Sequence, residues 1–141
     1  MKIYFDMDGT IADLYGVEGW LEHLINGNPF PYANAKPMVN MSRLARRLNI
    51  LQKEGNEICV ISWLSKTSTA EYDELVTRAK LAWLEKHLAS VRFDEIHIVA
   101  YGTPKQSLGC GILFDDEEPN RTAWGKGAYT PDKIFEVLAL V

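Results

Sequence analysis

The chain has 141 residues, 47% of them apolar and 24% charged, a composition typical of one ordinary globular domain. No apolar run approaches the roughly 20 residues of a membrane helix, and no secretory signal is evident, so we expect a cytoplasmic protein without a membrane partner. The net charge of −4 argues against a general nucleic-acid binder, which would carry a basic excess. Cys59 and Cys110 both lie among apolar residues, and we expect two buried thiols.

The first half of the chain alternates between strands and a helix. A short β-rich run over 2–5 predicts the first strand. Periodic leucines predict a helix over 42–54, with Ser42 capping its start and Gly55 its end. A continuous apolar run over 57–61 predicts a second strand that is covered on both faces.

The second half continues this alternation. A capping box over 68–71 opens a helix that runs to about Leu88. One face of that helix is predicted to be apolar through Tyr72, Leu75, Val76, Ala79, Ala82 and Trp83. Further strands are predicted at 96–99, 111–114 and 128–129, and Pro131 begins a last helix. The pattern predicts an α/β fold, a Rossmann-like three-layer sandwich with a mostly parallel central sheet.

One long connection interrupts the pattern. Residues 14–40 follow the first strand, contain several glycines and prolines, and include a short helical piece near 17–25. A connection of this length in a compact domain is usually a functional lid or a disordered loop, and aromatic residues favour an ordered lid. These aromatic residues, which could stack on a base or fill a small core, are Tyr15, Trp20, Phe30 and Tyr32. We therefore predict one domain over 1–141 with a cap insertion at about 14–40.

Polar side chains follow four of the predicted strands at their carboxyl ends, where ligands bind in such sheets. The segment 6–10, Asp-Met-Asp-Gly-Thr, follows the first strand, and Ser62 follows the second. Lys105 lies in the loop after the third strand, and Asp115 and Asp116 follow the fourth. Four carboxylates share a small site only when a cation neutralises them, and hard oxygen ligands indicate Mg²⁺.

The order of these motifs resembles the haloacid dehalogenase superfamily of phosphohydrolases. Asp-x-Asp-Gly-Thr behind an apolar N-terminal strand is the specific part, and the later serine, lysine and Asp-Asp pair match in order. Segments 80–84, 112–116 and 124–129 look like the 5′(3′)-deoxyribonucleotidase branch, whose helical cap is longer than the insertion found here. The resemblance covers the chain apart from the lid and implies a Mg²⁺-dependent phosphomonoesterase. It further implies that Mg²⁺ is held by the Asp6 carboxylate, the Asp8 backbone carbonyl and an acid of the 115–116 pair, with Asp116 favoured as the direct ligand and Asp115 acting through water.

Hydrolysis of a phosphate monoester needs a distinct role for each motif. We expect Asp6 to be the nucleophile that forms an aspartyl-phosphate, and Asp8 to protonate the leaving oxygen and then activate water. Phosphate oxygens would be bound at Asp8, Gly9, Ser62 and Lys105. Lys105 would also neutralise charge on Asp6 and on the phosphoryl group.

Two further side chains bear on this site. Lys66 is a rival to Lys105 as the active-site lysine, but Lys105 is favoured because it lies shortly before Asp115. Trp63 directly follows Ser62 and is predicted to line the substrate pocket.

The leading function is hydrolysis of a small phosphorylated substrate, such as a (deoxy)nucleoside monophosphate. One alternative is a phosphate- or nucleotide-binding module without turnover, although a binder needs no acid at Asp8. A phospho-accepting receiver-like domain would place its acidic pair early and its acceptor in mid-chain, the reverse of the order here. A phosphatase acting on a phosphorylated polymer end or protein also stays open, because the lid is short. A neighbouring chain could complete the lid, which leaves a homo-oligomer open.

Overall fold

The structure is a computed structural model that describes residues 1–66 and 68–141. In chain order its strands and helices are β1 (Lys2–Phe5), β2 (Ala12–Asp13), α1 (Trp20–Ile25), α2 (Phe30–Asn34), β3 (Lys36–Pro37), α3 (Met41–Lys53), β4 (Glu57–Trp63), α4 (Ala70–His87), β5 (Glu95–Val99), β6 (Ile112–Phe114), α5 (Glu118–Trp124), β7 (Ala128–Tyr129) and α6 (Ile134–Leu138). Short 3₁₀ turns occupy Lys105–Ser107 and Pro131–Lys133.

The central sheet has the strand order β5-β4-β1-β6-β7, and every neighbouring pair is parallel. In the middle of the sheet, Ile3 lies opposite both Ile58 and Ile112. Helices flank the sheet, so the predicted α/β class and the Rossmann-like three-layer sandwich are confirmed. The order places β1 between β4 and β6, which brings the carboxyl ends of these three strands side by side.

The two faces of the sheet bury different amounts of apolar surface, because successive side chains of a strand point to opposite faces. The larger core joins side chains of β1, β4 and β6 to those of α3, α4 and α6. The smaller core on the other face contains Tyr4, Cys59, Ile61 and Leu113, against which Leu108 and Trp124 pack. The sheet is therefore anchored on both faces beneath the ends of β1, β4 and β6.

Both predicted helix caps differ from those in the structure. The Asn40 side chain accepts a hydrogen bond from the Arg43 N–H at 3.0 Å, so Ser42 already lies inside α3 and the predicted Ser42 cap is wrong. Thr69 caps α4 by accepting from the Tyr72 N–H at 3.1 Å, and the predicted capping box over 68–71 is likewise wrong. Each cap is a side-chain oxygen three residues before the N–H that it binds, and neighbouring Asn, Ser and Thr residues compete for that place. At the other end of α3 the prediction is confirmed: the helix ends at Lys53, and Gly55 follows two residues later with a positive φ of 95°.

The buried face of α4 differs in part from the predicted apolar face. Leu75 and Ala82 are exposed, so these two predictions are wrong. The residues that α4 buries are Tyr72, Val76, Lys80, Trp83 and Leu84. This line advances by three or four residues at a time, as one face of an α-helix does, and it includes a lysine.

The insertion is ordered and stands on a small antiparallel ribbon, in which Ala12 pairs with Pro37. Its second half joins the rest of the protein: Tyr32 packs with Tyr72 and Val76, and the Trp83 indole donates to the Ala35 carbonyl at 2.8 Å. Its first half, α1, is different, because none of its described residues is buried. This helix, α1, is the lid helix.

The two thiols have different environments. Cys59 is buried in β4 as predicted, whereas Cys110 is exposed in the loop before β6, so the prediction of two buried thiols is wrong for Cys110. An apolar neighbourhood in sequence does not bury a side chain when the segment runs over the surface as a loop. Within the two described ranges, no helix combines the length and the apolar character needed to cross a membrane.

Candidate active site

Three polar residues occupy the adjacent ends of β1, β4 and β6. Asp6 follows β1, Ser62 is the second-last residue of β4, and Asp115 follows β6. All three are buried, Ser62 and Asp115 completely. Buried polar groups persist in folded proteins only when they are hydrogen-bonded or paired, so the partners of these residues define the site.

Lys105 links the ends of β1 and β6. Its ammonium lies 2.9 Å from Asp6 Oδ1 and 2.7 Å from Asp115 Oδ2, and the residue is only 3% exposed. Burial by itself would lower the pKa of Lys105, but the negative charges of Asp6 and Asp115 outweigh it and raise the pKa. Lys105 is therefore a fixed cation at the centre of the site. Lys66, the rival lysine, is exposed and lines the same pocket, described below, but it is not part of this buried group.

Asp115 is held on both of its carboxylate oxygens. Oδ1 accepts the Glu117 N–H at 2.9 Å, and Oδ2 accepts from Lys105 and from Asn120 Nδ2 at 3.2 Å. The Asp115 carbonyl accepts a further bond from Arg121 at 3.0 Å. Asp115 thus serves to fix Lys105 and the start of α5.

Asp116 is more accessible and less engaged than Asp115. Its Oδ1 is 3.4 Å from the Thr10 hydroxyl, which donates to Asp6 Oδ2 at 2.9 Å. Burial, and then the charge of Asp6, raise the pKa of Asp116 to about 7. Gly9 turns the chain with φ at 80°, and a Cβ there would lie 2.3 Å from Asp116 Oδ2, so the close approach needs glycine.

These carboxylates could hold a divalent cation. Oxygen atoms of Asp6, Asp115 and Asp116 all lie within 4.8 Å of one another. Carboxylate oxygens suit Mg²⁺ or a similar hard ion. The donor set therefore fits the Mg²⁺ expected from the sequence, with Asp116 the freest of the three ligands.

Lys80 is a second buried cation that the sequence analysis missed. Its ammonium, on α4, lies 2.6 Å from Ser62 Oγ, 2.7 Å from the Trp63 carbonyl and 2.9 Å from Asp8 Oδ2. It is 1% exposed. The signal in the sequence was its position four residues after Val76, on the face that α4 turns inward. A lysine on a buried face needs a carboxylate partner, which would have pointed to an aspartate at the site.

A pocket of about 390 Å³ opens above these groups. Asp6, Asp8, Lys105 and Asp116 lie on its floor, and its walls are largely apolar and aromatic. The apolar and aromatic residues of the wall are Leu14, Tyr15, Trp20, Leu21, Leu24, Ile25, Tyr32, Trp63, Leu64 and Tyr101. Trp63 thus lines the pocket as predicted, whereas Phe30 lies outside the wall and contacts the His23 ring.

The floor of this pocket is negatively charged. Burial, and then the charges of Asp8 and Asp116, raise the pKa of Tyr15 on the pocket wall. Glu117 also lines the pocket, and burial followed by the charges of Asp115 and Asp6 raises its pKa. An anionic ligand would enter this field only with a compensating cation.

No family model, curated protein or solved structure matched this chain in the comparisons with known proteins. The functional assignment therefore depends on the residues and geometry of the site itself.

Proposed function

We propose that this chain is a Mg²⁺-dependent phosphomonoesterase of the haloacid dehalogenase type, acting through an aspartyl-phosphate on Asp6. One observation carries the proposal: Lys105 pairs with Asp6 while Lys80 pairs with Asp8, and both aspartates lie on the floor of one pocket. Two carboxylates, each oriented by its own buried ammonium, provide a nucleophile and an acid/base as separate groups.

The charges on the floor support the need for a divalent cation. Four acidic groups, Asp6, Asp8, Asp115 and Asp116, stand against the two ammonium groups described above. Even when Asp8 carries the proton that the first step needs, the other three outnumber the two cations once they are ionised. A phosphate dianion would be repelled from such a site. The Asp6 and Asp116 carboxylates and the Asp8 carbonyl would hold Mg²⁺, with Asp115 behind them. When bound, Mg²⁺ would neutralise charge on the phosphoryl oxygens.

In the first step, an Asp6 oxygen attacks phosphorus while the bond from phosphorus to the leaving oxygen breaks. Asp8 enters this step in its protonated form and gives that proton to the leaving oxygen, so the alcohol leaves uncharged, Asp8 becomes a carboxylate and Asp6 carries the phosphoryl group. Thr10 and Lys105 bind one Asp6 oxygen each and fix the attacking group. Such positioning supplies a large part of the rate enhancement in phosphoryl transfer.

In the second step, Asp8 takes a proton from water as the water oxygen attacks the phosphorus of the aspartyl-phosphate. The bond from phosphorus to Asp6 breaks, and inorganic phosphate leaves. Lys80 holds Asp8 in place and donates to Ser62 Oγ. Ser62 is completely buried and does not line the pocket, so a phosphate oxygen would accept a hydrogen bond from its hydroxyl only after a local movement. The Gly9 N–H, which was expected to bind phosphate, already donates to the Ala12 carbonyl at 2.9 Å, so it would bind a phosphate oxygen only if that hydrogen bond opened.

The pocket supports a small substrate with an apolar or aromatic leaving group. Its volume of about 390 Å³ and its aromatic walls suit a (deoxy)nucleoside monophosphate better than an extended polymer.

Cys59 and Cys110 are both free thiols, which supports a reducing, cytoplasmic setting for this enzyme.

Phosphate release tests the proposal. Nucleoside monophosphates, sugar phosphates and a phosphopeptide are each incubated with the protein in Mg²⁺ and in excess EDTA. We expect phosphate from at least one small monoester in Mg²⁺ and none in EDTA. Equal release under both conditions would remove the metal from the proposal, and no release from any ester in Mg²⁺ would leave a binding module.

A further inference from the structure

Trp63 connects the end of β4 to the loop that precedes Lys105. It is the last residue of β4, and its indole N–H donates to the Thr103 carbonyl at 2.8 Å. Its ring lies 5.0 Å from the Tyr101 ring, with 59° between the planes. Loop residues 100–104 are therefore tied to the strand that carries Ser62.

The Trp63 ring also faces the buried lysine. Lys105 Nζ lies 5.4 Å from the ring centroid, within the range of a cation–π contact. The Lys105 side chain is 2% exposed, so the ring and two carboxylates surround an ammonium on a flexible four-carbon stem. Holding such a stem in one conformation costs side-chain entropy. Contact with the Trp63 ring helps to offset that cost.

We infer that Trp63 is a positioning residue for Lys105, in addition to lining the pocket. It holds the loop from which Lys105 projects, and it covers one side of the ammonium that binds Asp6. The kinetic part of this inference rests on the proposed function, whereas the geometric part does not. A residue that only lines the pocket would affect esters with bulky leaving groups, but a residue that positions Lys105 affects every substrate.

Nuclear magnetic resonance tests the geometry without any activity. The ε-methylene protons of Lys105 are assigned with the variant Lys105→Arg and compared among the native protein, Trp63→Leu and Trp63→Phe. We expect two separated proton shifts in the native protein and in Trp63→Phe, which keeps an aromatic face. In Trp63→Leu the separation shrinks towards that of exposed Lys53. Unchanged Lys105 shifts in Trp63→Leu would overturn the inference.

Kinetics test the consequence with two monoesters that differ in the size of the leaving group, methyl phosphate and phenyl phosphate. We expect Trp63→Leu to lower kcat about 10-fold on both esters, and Trp63→Phe to recover kcat to within about threefold of the native value. Trp20→Leu, which removes a ring of the same pocket on the lid helix, should chiefly raise KM for phenyl phosphate. An effect of Trp63→Leu confined to KM for phenyl phosphate would reduce Trp63 to a wall residue and overturn the inference.

Two outcomes need a second measurement. If Trp63→Leu does not fold, Trp63→Met provides a larger non-aromatic side chain with the same expected results. If no ester is hydrolysed by the native protein, the proposed function fails, and the Lys105 shifts alone decide whether Trp63 positions that lysine.

Discussion

The floor of the pocket and the lid helix represent opposite ways of building one site. On the floor, Asp6 and Lys105 are buried, and Lys80 and Asp115 are buried directly behind them. Each of the four is bound to a partner of opposite charge or to a hydroxyl. In the lid helix no described residue is buried, and Leu21 and Ile25, which line the pocket, are exposed. Under the proposed function, we expect the floor to fix the chemistry and the lid helix to govern which leaving groups are accepted.

The boundary between these regions runs through the insertion itself. Tyr32 and Ala35 are buried with the main body, so replacing all of 16–37 would remove core residues. Leu21 and Ile25, 53% and 74% exposed, can change without opening the core. The insertion is therefore half structural support and half adjustable wall.

Removing the nucleophile on the floor gives the largest expected effect. Asp6→Asn loses the attacking oxygen and a proposed metal ligand together, so we expect kcat to fall by about 10⁴-fold or more. Phosphate release is the measurement, with Asp132→Asn, a distant exposed aspartate, as the matched control. Substantial turnover in Asp6→Asn would place the nucleophile elsewhere.

The acid/base on the floor should fail in a different way. Asp8→Asn keeps the backbone carbonyl but loses proton transfer, which typically contributes about 10²–10⁴-fold. The first step should suffer less with p-nitrophenyl phosphate than with a nucleoside phosphate, because p-nitrophenol leaves without protonation. Hydrolysis of the aspartyl-phosphate slows as well, so stopped-flow absorbance should show a burst of p-nitrophenol and then a slow rate. Equal losses on both esters without a burst would show that Asp8 has another role.

Lys80 tests whether the floor needs its second cation. Lys80→Met keeps the length of the side chain but frees Asp8 and Ser62, and we expect kcat to fall by about 10²-fold. Lys86→Met on the same helix, where the lysine is exposed, controls for the loss of charge from α4. Thermal unfolding monitored by circular dichroism identifies any loss of folding. Native kcat in a folded Lys80→Met protein would make Lys80 a purely structural residue.

The lid helix gives the smallest effect, on selectivity. The double variant Leu21→Ser, Ile25→Ser should keep the melting temperature of the native protein, because both side chains are already exposed. We expect KM for phenyl phosphate to rise several-fold while kcat for methyl phosphate stays near the native value. Leu140→Ser, 85% exposed outside this pocket, is the control. A collapse in melting temperature would show that the lid helix supports the fold.

The strands and the turn chemistry at their ends could be read from the sequence because they depend on local patterns. Apolar runs identified the central strands, and Asp-x-Asp-Gly-Thr, Ser62 and the 115–116 pair stood where those runs stop. Lys80 could not be found in this way, because its partner Asp8 is distant in sequence and only the packing of α4 brings them together. The cap at Asn40 and the exposure of Cys110 likewise depended on choices among similar neighbours that tertiary packing decides.

The central claim is that Asp6 carries the phosphoryl group during turnover. The most direct measurement mixes Asp8→Asn with p-nitrophenyl phosphate and Mg²⁺, quenches in acid during the burst, and locates the phosphoryl group by peptide mass spectrometry. We predict one phosphoryl group on Asp6, absent when EDTA replaces Mg²⁺. A burst without protein-bound phosphate, or a phosphoryl group on any other residue, would contradict this account of the site.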